Sequence, residues 1–498
     1  MTEKQIKIAV VFIGKPQWEA GWPYLGYNNE ALITSIKENL QNNFPKIHFK
    51  NLPMITTYDV NLVNEIKEII KSSDAAILFT IGHYGDPGIV QAGIEFVDLN
   101  KPIILANMIY QGDHTFTKVY SSIKNRDLKV FPISFPNLED FNTSLEILIK
   151  ILKIQGKRVL VYAPDKIKMD WNRILELFNP ERKRIRKEYP EFLDQVTNLS
   201  SEQEFEFYTD VVGKDQAHQW RRDEEKYKKN LKELFDIEMV KGDPDEIIKY
   251  YDEVDEIKAR KIAEQWEKEA LKIEPNEKTI FNSAKLYIAF KELLETKNFN
   301  FFTPDCGTFL LTGKLPAYPC LAFMELINDN IYGICESDMD STVSYIFGLA
   351  ITNRPGFVSN HTFDTINNQI TYMHCVAPNK LFGKEGSRSD YDIMYHGETH
   401  YLGASPRIKF PIGEIVTTIK ISVLDKKIAI RKGKIIDNIV DKRGCVSKML
   451  VESNVKDIMD NYNWDTFGWH RVTFIGDWKE KFIIGAKLLG LEIIEEDK

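Results

Sequence analysis

The sequence is poor in the features that mark several large protein classes. Its 498 residues include only five cysteines, an odd number with no C-x-x-C pair. A disulfide framework or a cysteine-based zinc site is therefore not expected, and buried free thiols are. No apolar run approaches the roughly 18 residues that a membrane-spanning helix needs. Because no apolar signal segment follows Met1, we expect a cytoplasmic protein that has no membrane partner.

An excess of positive charge is also missing. The net charge is −8 and the sequence pI is about 5.8, so a broad nucleic-acid-binding surface is not expected. The first apolar strand ends in G-K-P-Q at residues 14–17, which is not the G-x-G-x-x-G of a dinucleotide site.

The apolar runs present predict an α/β architecture. KIAVVFIG (7–14), DAAILFTIG (74–82) and KPIILANM (101–108) alternate with helical patterns. Such runs predict doubly wound parallel sheets with helices on both faces. We place a first α/β domain at 1–155 and a second at 156–330. A third, at 331–498, contains a period-two stretch (408–437) that predicts a small antiparallel β barrel.

The clearest candidate site begins after the apolar run IYGIC at 331–335. Glu336, Asp338 and Asp340 follow it directly, and then a helical pattern begins. A carboxylate at the end of a strand suits a divalent cation or acid–base chemistry. The alternative is helix capping, which suits Asp338 and Asp340 well and Glu336 poorly. Glu336 is therefore the preferred functional carboxylate.

Three further positions are open to two interpretations each. His374 lies in the strand-like ITYMHC and is either a ligand or an ordinary core histidine. Asp364 precedes that strand, where turn formation is a sufficient reason for an aspartate. His470 lies beside Trp464 and Trp469, whose rings suit either a sugar or plain packing. Mixed carboxylate and imidazole ligands without thiolates favour Mn²⁺ or Mg²⁺.

Two stretches carry a family resemblance. The stretch 333–358, GICESDMDSTVSYIFGLAITNRPGFV, resembles the strand, E-G-D motif, helix and G-x-P-x-F turn of the L-fucose/L-arabinose isomerase family. The stretch 469–494, WHRVTFIGDWKEKFIIGAKLLGLEII, is similar to that family's C-terminal histidine, strand and helix. Ser337 replaces the usual glycine of the motif. The length and the domain order of the chain agree with the same family.

The resemblance implies a ligand set and a pair of catalytic groups. Glu336 would be a metal ligand and catalytic carboxylate, and His470 a second ligand. The family's second carboxylate falls at Ser359 or Asn360, neither of which is an acid. Asp364, 28 positions after Glu336, is the expected substitute as ligand and catalytic group. The cofactor would be Mn²⁺ or another divalent cation such as Mg²⁺ or Co²⁺.

The resemblance also implies partners. The substrate would be a small sugar, and the protein a homo-oligomer, a trimer or hexamer, whose first domain helps to close a neighbour's site. Loops near Gln17 and Trp18 or near His83 and Tyr84 are candidates for that closure. The residues expected to bind the substrate are Asn360, His374, Trp464, Trp469 and Trp18.

The expected activity is therefore metal-dependent aldose–ketose isomerisation through an enediolate. Two alternatives stay open, the first because the second carboxylate is missing and the second because two α/β lobes can clamp a sugar. One is an isomerase or other enzyme on the same scaffold that acts on a sulfonated, phosphorylated or acidic sugar. The other is a non-catalytic cytoplasmic sugar-binding protein.

Overall fold

The computed structural model describes residues 5–19, 22–82, 86–163, 219–312, 315–397 and 403–498. The chain forms two compact units, 1–155 with 480–493 and 156–479 with 494–498. The division into three domains at 1–155, 156–330 and 331–498 stays a prediction. Among the described residues, no helix is both long and apolar enough to cross a membrane.

The first unit contains a five-stranded parallel sheet in the order β2-β1-β3-β4-β5. Its central strands are buried along almost their whole length, as the continuous apolar runs predict. The strands are β1 Lys7–Gly14, β2 His48–Asn51, β3 Ala75–Ile81, β4 Ile103–Met108 and β5 Val130–Phe135. The helices are α1 Asn29–Asn43, α2 Val60–Ser72, α3 Pro87–Val97, α4 Asp113–Ile123 and α5 Leu138–Leu152.

The second unit begins with a four-stranded parallel sheet in the order β7-β6-β8-β9. Its strands are β6 Arg158–Tyr162, β7 Glu238–Lys241, β8 Phe301–Pro304 and β9 Tyr332–Gly333. Its helices are α6 Glu224–Phe235, α7 Asp245–Asp252, α8 Glu256–Glu269, α9 Glu277–Lys297, α10 Cys306–Leu311, α11 Cys320–Asn328 and α12 Met339–Thr352. The last strand, β9, leads directly into the segment that carries Glu336.

A closed six-stranded antiparallel barrel follows, which confirms the predicted barrel. Its order is β14-β17-β10-β11-β16-β15, and β15 pairs back with β14. Closure leaves no open edge among these six strands. The elements from here to the C-terminus are β10 Phe357–Asp364, β11 Gln369–His374, β12 Tyr391–Tyr395, β13 Ala404–Ile408, β14 Ile415–Ser422, β15 Lys427–Asn438, β16 Ser447–Glu452, α13 Val455–Asp460, α14 Trp464–Phe467, β17 Arg471–Ile475, α15 Lys479–Leu489 and β18 Glu492–Glu495.

One buried carboxylate ties two barrel strands to the C-terminal end of the chain. Glu496 accepts hydrogen bonds from Arg431 of β15 (3.1 Å) and Arg471 of β17 (2.9 Å). All three side chains are at most 1% exposed. Arg431 also donates to the hydroxyl of Tyr372 on β11 (2.8 Å). Because buried charges need partners, this network depends on Glu496.

We expect Glu496→Ala to lower the free energy of unfolding by about 3–5 kcal/mol, because it leaves two buried guanidinium groups without their carboxylate. Chemical denaturation of both proteins measures the change. Glu414→Ala, at an exposed position of the same unit, is the matched control and should change stability little. A Glu496→Ala variant as stable as the control would contradict a structural role for this network.

Candidate metal centre

Glu336 lies on a strained turn. It and Ser337 have φ values of 66° and 46°, the left-handed region that residues other than glycine seldom adopt. Trp220, which is 1% exposed, donates a 2.9 Å hydrogen bond from its indole to the carbonyl of Ser337. Strain of this kind persists where the surroundings hold the backbone in place, and it is common at functional sites.

His470 comes from the other end of the barrel sequence, immediately before β17. Arg471 holds the preceding loop, because its guanidinium donates to the carbonyls of Gly468 (2.9 Å) and His470 (3.1 Å). The indole of Trp469 donates to the carbonyl of His361 (2.8 Å). These hydrogen bonds fix the backbone at Gly468 and at His470 itself. The imidazole of His470 is 1% exposed.

Glu336, His374 and His470 converge. His374 is the last residue of β11 and lies opposite Ser447 of β16. Glu336 Oε1 is 3.8 Å from His374 Nε2, and Glu336 Oε2 is 3.6 Å from His470 Nε2. One ligand atom from each of the three residues lies within 4.8 Å of the others. Two histidines and one carboxylate from three distant parts of the sequence therefore form one cluster.

These residues fit a metal ion. Two ligands that bind one ion at about 2.1 Å lie roughly 3–3.5 Å apart, close to the observed separations. His470 Nε2 is buried and has no hydrogen-bond partner in the part of the chain that the structure describes, so it is available as a ligand. Three protein ligands leave coordination positions open for a substrate. The Glu336 side chain is 40% exposed, which gives solvent and ligands access.

The electrostatics keep Glu336 ionised. Desolvation opposes its charge, but the His470 and His374 rings beside it lower the pKa of the carboxyl to about 2. At neutral pH the cluster therefore offers a carboxylate to a cation.

Asp338 supports the cluster from behind. It is the N-cap of α12, and its Oδ1 accepts from the Ser341 amide at 2.8 Å. Its Oδ2 lies 2.9 Å from Lys420 Nζ and 2.9 Å from His470 Nδ1. Desolvation raises the pKa of Asp338, but Lys420 and His470 outweigh it and hold the pKa well below its usual range. An ionised Asp338 that accepts from Nδ1–H leaves the Nε2 lone pair of His470 for a metal.

The predicted capping role is confirmed for Asp338 alone. Asp340 lies in the first turn of α12, where its Oδ1 accepts from the hydroxyl of Tyr227 (2.9 Å) and from the amide of Val423 (3.3 Å). Burial raises the pKa of Asp340 to about 7, against the attraction of Lys420. Asp340 therefore holds α12 against α6 and the barrel as a largely neutral acid below that pH.

The ligand set differs from the expected one at Asp364. That residue ends β10, and its carboxylate accepts from the amides of Ile366 and Asn367, both at 3.0 Å, as a turn residue. It lies five residues along the strand from Ser359, or about 17 Å at ~3.4 Å per residue. Ser359 precedes Asn360, which pairs with Met373, so Ser359 is the cross-strand neighbour of His374. His374 therefore takes the place expected of Asp364.

The predicted substrate-binding residues fall into two groups. Asn360 is 7% exposed and lies on β10, where it pairs with Met373, the residue before His374 on β11. Trp464 is the first residue of α14 and Trp469 directly precedes His470, and their ring centroids are 6.2 Å apart. Trp18 belongs to the first unit, where it is 83% exposed. His83 and Tyr84 lie outside the described residues.

The sequence interpretation missed Lys420 and Trp220. Lys420 alternates with apolar residues in TTIKIS, a pattern typical of a solvent-facing position, but in the closed barrel it is 1% exposed. Trp220 follows a long polar stretch and carries no motif. Only the fold shows that Lys420 pairs with Asp338 and that Trp220 donates to the carbonyl of Ser337.

Comparisons with known proteins leave the chain without a demonstrated family. No protein-family model matches it, and no curated protein matches it.

We expect Asp338→Asn to weaken binding of Mn²⁺ about 10- to 100-fold, because an amide supports His470 less well than a carboxylate does. Isothermal titration calorimetry measures the change. Asp460→Asn, at an exposed position of α13, is the control and should bind the ion as the wild type does. Equal affinities in all three proteins would show that Asp338 does not support the centre.

Asp340 should give stability a specific pH dependence. Its pKa is about 7 in the fold against a usual 3.8, so the neutral acid favours folding below pH 4. That contribution is lost as pH rises towards 7, because the unfolded chain ionises more readily. Asp340→Asn keeps a neutral acceptor, so its stability relative to wild type should rise from pH 4 to pH 8. Denaturation at several pH values tests this, and a constant difference would contradict it.

Proposed function

We propose that the protein is a metal-dependent aldose–ketose isomerase. The observation that carries the proposal is the convergence of Glu336 and His470, whose ligand atoms lie 3.6 Å apart although 134 positions separate them in the sequence. The resemblance to the L-fucose/L-arabinose isomerase family implies these two residues as metal ligands. From the sequence patterns we also expect doubly wound sheets and a cytoplasmic location, and on the same resemblance a trimeric or hexameric assembly.

The donor set narrows the choice of metal. Two imidazoles and one carboxylate suit borderline divalent ions better than Mg²⁺, which prefers oxygen ligands. Mn²⁺ and Co²⁺ therefore fit the cluster of Glu336, His374 and His470 better than Mg²⁺ does. The ion would polarise the sugar carbonyl and stabilise negative charge on its oxygen.

Glu336 is the residue we assign to proton transfer between carbons. It is ionised and accessible, so it can take the proton from C2 of an aldose and return it to C1. Among the described residues the other carboxylate close to the cluster is Asp338, which is buried and paired with Lys420. The hydroxyl proton lost from O2 and the proton gained by O1 can exchange through solvent on the exposed side of Glu336. A single carboxylate thus replaces the pair expected from the resemblance.

The first test is isomerisation of an aldose panel by the Mn²⁺-loaded protein. We expect Glu336→Gln to lower turnover at least about 100-fold, because the amide can neither accept the C2 proton nor bind the ion as well. Glu385→Gln, at an exposed position, is the control and should retain wild-type turnover.

Isotopic labelling adds a readout that is specific to the single carboxylate. With an aldose deuterated at C2, part of the label should appear at C1 of the ketose, because the same group removes and returns the hydrogen. Sugar binding without turnover in the wild type would favour the sugar-binding alternative. Turnover that survives in Glu336→Gln would reject the assignment of Glu336.

A further inference from the structure

Two of the candidate metal ligands come from different parts of the second unit. Glu336 follows β9, the edge strand of the parallel sheet, whereas His470 immediately precedes β17 of the barrel. Their ligand atoms lie 3.6 Å apart, so they can share an ion only while the sheet edge and the barrel keep that spacing. Contacts that join the two ligand loops therefore affect metal binding.

A short turn contacts the Glu336 loop. In the 3-10 turn Gln219–Asp223, the indole of Trp220 donates to the carbonyl of Ser337, the residue after Glu336, at 2.9 Å. Trp220 is 1% exposed, so water does not compete for this hydrogen bond. Glu336 and Ser337 both have left-handed φ values, which persist where the surroundings hold the backbone. The indole is one of the groups that hold it.

The same turn contacts the loop before β17, which ends in the histidine ligand. In the orientation that satisfies both of its atoms, the side-chain amide of Gln219 donates to the carbonyl of Thr466 (2.9 Å) and accepts from the amide of Gly468 (3.0 Å). Arg222 adds a hydrogen bond from its guanidinium to the carbonyl of Asp465 at 2.9 Å. Gln219 is 4% exposed, whereas Arg222 is exposed, so Gln219 is the stronger support.

Helix α6 holds the turn in place. It follows the turn without a break, and Asp223 is its N-cap. The hydroxyl of Tyr227 on α6 donates to Asp340 of α12 at 2.9 Å. The amide of Asn230 donates to the carbonyl of Val423, directly after β14, at 3.0 Å. The helix is therefore tied both to α12 and to the barrel.

We propose that the segment 219–235, the turn together with α6, positions the two ligand loops and so sets the affinity and the coordination geometry of the metal centre. Gln219 and Trp220 are positioning residues in this role, because they act through the backbone at Gly468 and Ser337. The inference concerns ion binding alone. It does not depend on the reaction that the centre catalyses, so it and the isomerase proposal can fail separately.

The first measurement is the affinity of the full chain for Mn²⁺, by isothermal titration calorimetry. Trp220→Phe keeps an aromatic ring and removes the indole donor, and Gln219→Leu removes both amide hydrogen bonds. We expect each to weaken binding about tenfold or more, because groups that orient metal ligands have effects of that size. Trp266→Phe is the matched control at another buried tryptophan, which packs on Tyr287, and it should bind as the wild type does.

A milder variant keeps the test decisive if Gln219→Leu fails to fold. Gln219→Asn retains a polar amide but shortens the side chain by one methylene, which weakens both hydrogen bonds. We expect it to bind Mn²⁺ about two- to tenfold more weakly than the wild type. Melting curves for every variant check that the fold is retained at the temperature of the titration.

A double-mutant cycle tests whether the two contacts act together. Losing either one already releases the spacing, so Trp220→Phe combined with Gln219→Leu should weaken binding by less than the product of the two single effects. The d–d absorption spectrum of bound Co²⁺ reports coordination geometry directly. It should change in the Trp220 and Gln219 variants and stay as in the wild type in Trp266→Phe.

The outcomes separate the possibilities. Wild-type affinity and an unchanged Co²⁺ spectrum in the variants of Trp220 and Gln219 would overturn the inference, as would an equal loss in Trp266→Phe. Single effects that multiply in the double variant would overturn the joint action of the two contacts. No binding of either ion by the wild type would overturn the inference together with the metal centre. Ion binding that depends on Trp220 and Gln219, without isomerisation, would support the inference and reject the isomerase.

Discussion

The carboxylate of Asp338 is the group on which the rest of the centre depends. It caps α12, forms an ion pair with Lys420 of the barrel, and accepts from the ring of His470. All three side chains are at most 1% exposed, so each interaction acts in a medium of low polarity where charges must be paired. The helix, the barrel and the histidine are thus fixed to one another at a single point.

Around Asp338, hydrogen bonds hold the loops that carry Glu336 and His470, while the Glu336 carboxylate stays accessible to solvent. Glu336 lies on a left-handed turn that the Trp220 indole holds through Ser337, and His470 follows a loop that the Arg471 guanidinium holds. Arg471 is in turn paired with Glu496 near the C-terminus. The supporting groups are buried, whereas the Glu336 side chain is 40% exposed. The accessible Glu336 carboxylate is therefore positioned by buried polar contacts, which involve Trp220, Arg471 and Glu496.

Local physics explains why part of this was predictable. Continuous apolar runs specify buried parallel strands, and the period-two stretch specifies the barrel, because both patterns follow from which faces of a strand are buried. Asp338 was predictable as a cap from its position before a helical pattern. The ligand set was only partly predictable. Asp364 lies close to the expected spacing, but strand register places it in a turn and brings His374 to the cluster instead.

The sequence by itself determined the types of element, the helix cap and the chemical identity of the candidate ligands, since these depend on residues that are close together along the chain. Only the tertiary structure decided which carboxylate and which histidines meet. It also decided that Lys420 is buried against Asp338 and that Trp220 donates to the carbonyl of Ser337 in the Glu336 loop. Those facts depend on barrel closure and on strand register, and a shift of one residue in register would turn each side chain to the opposite face.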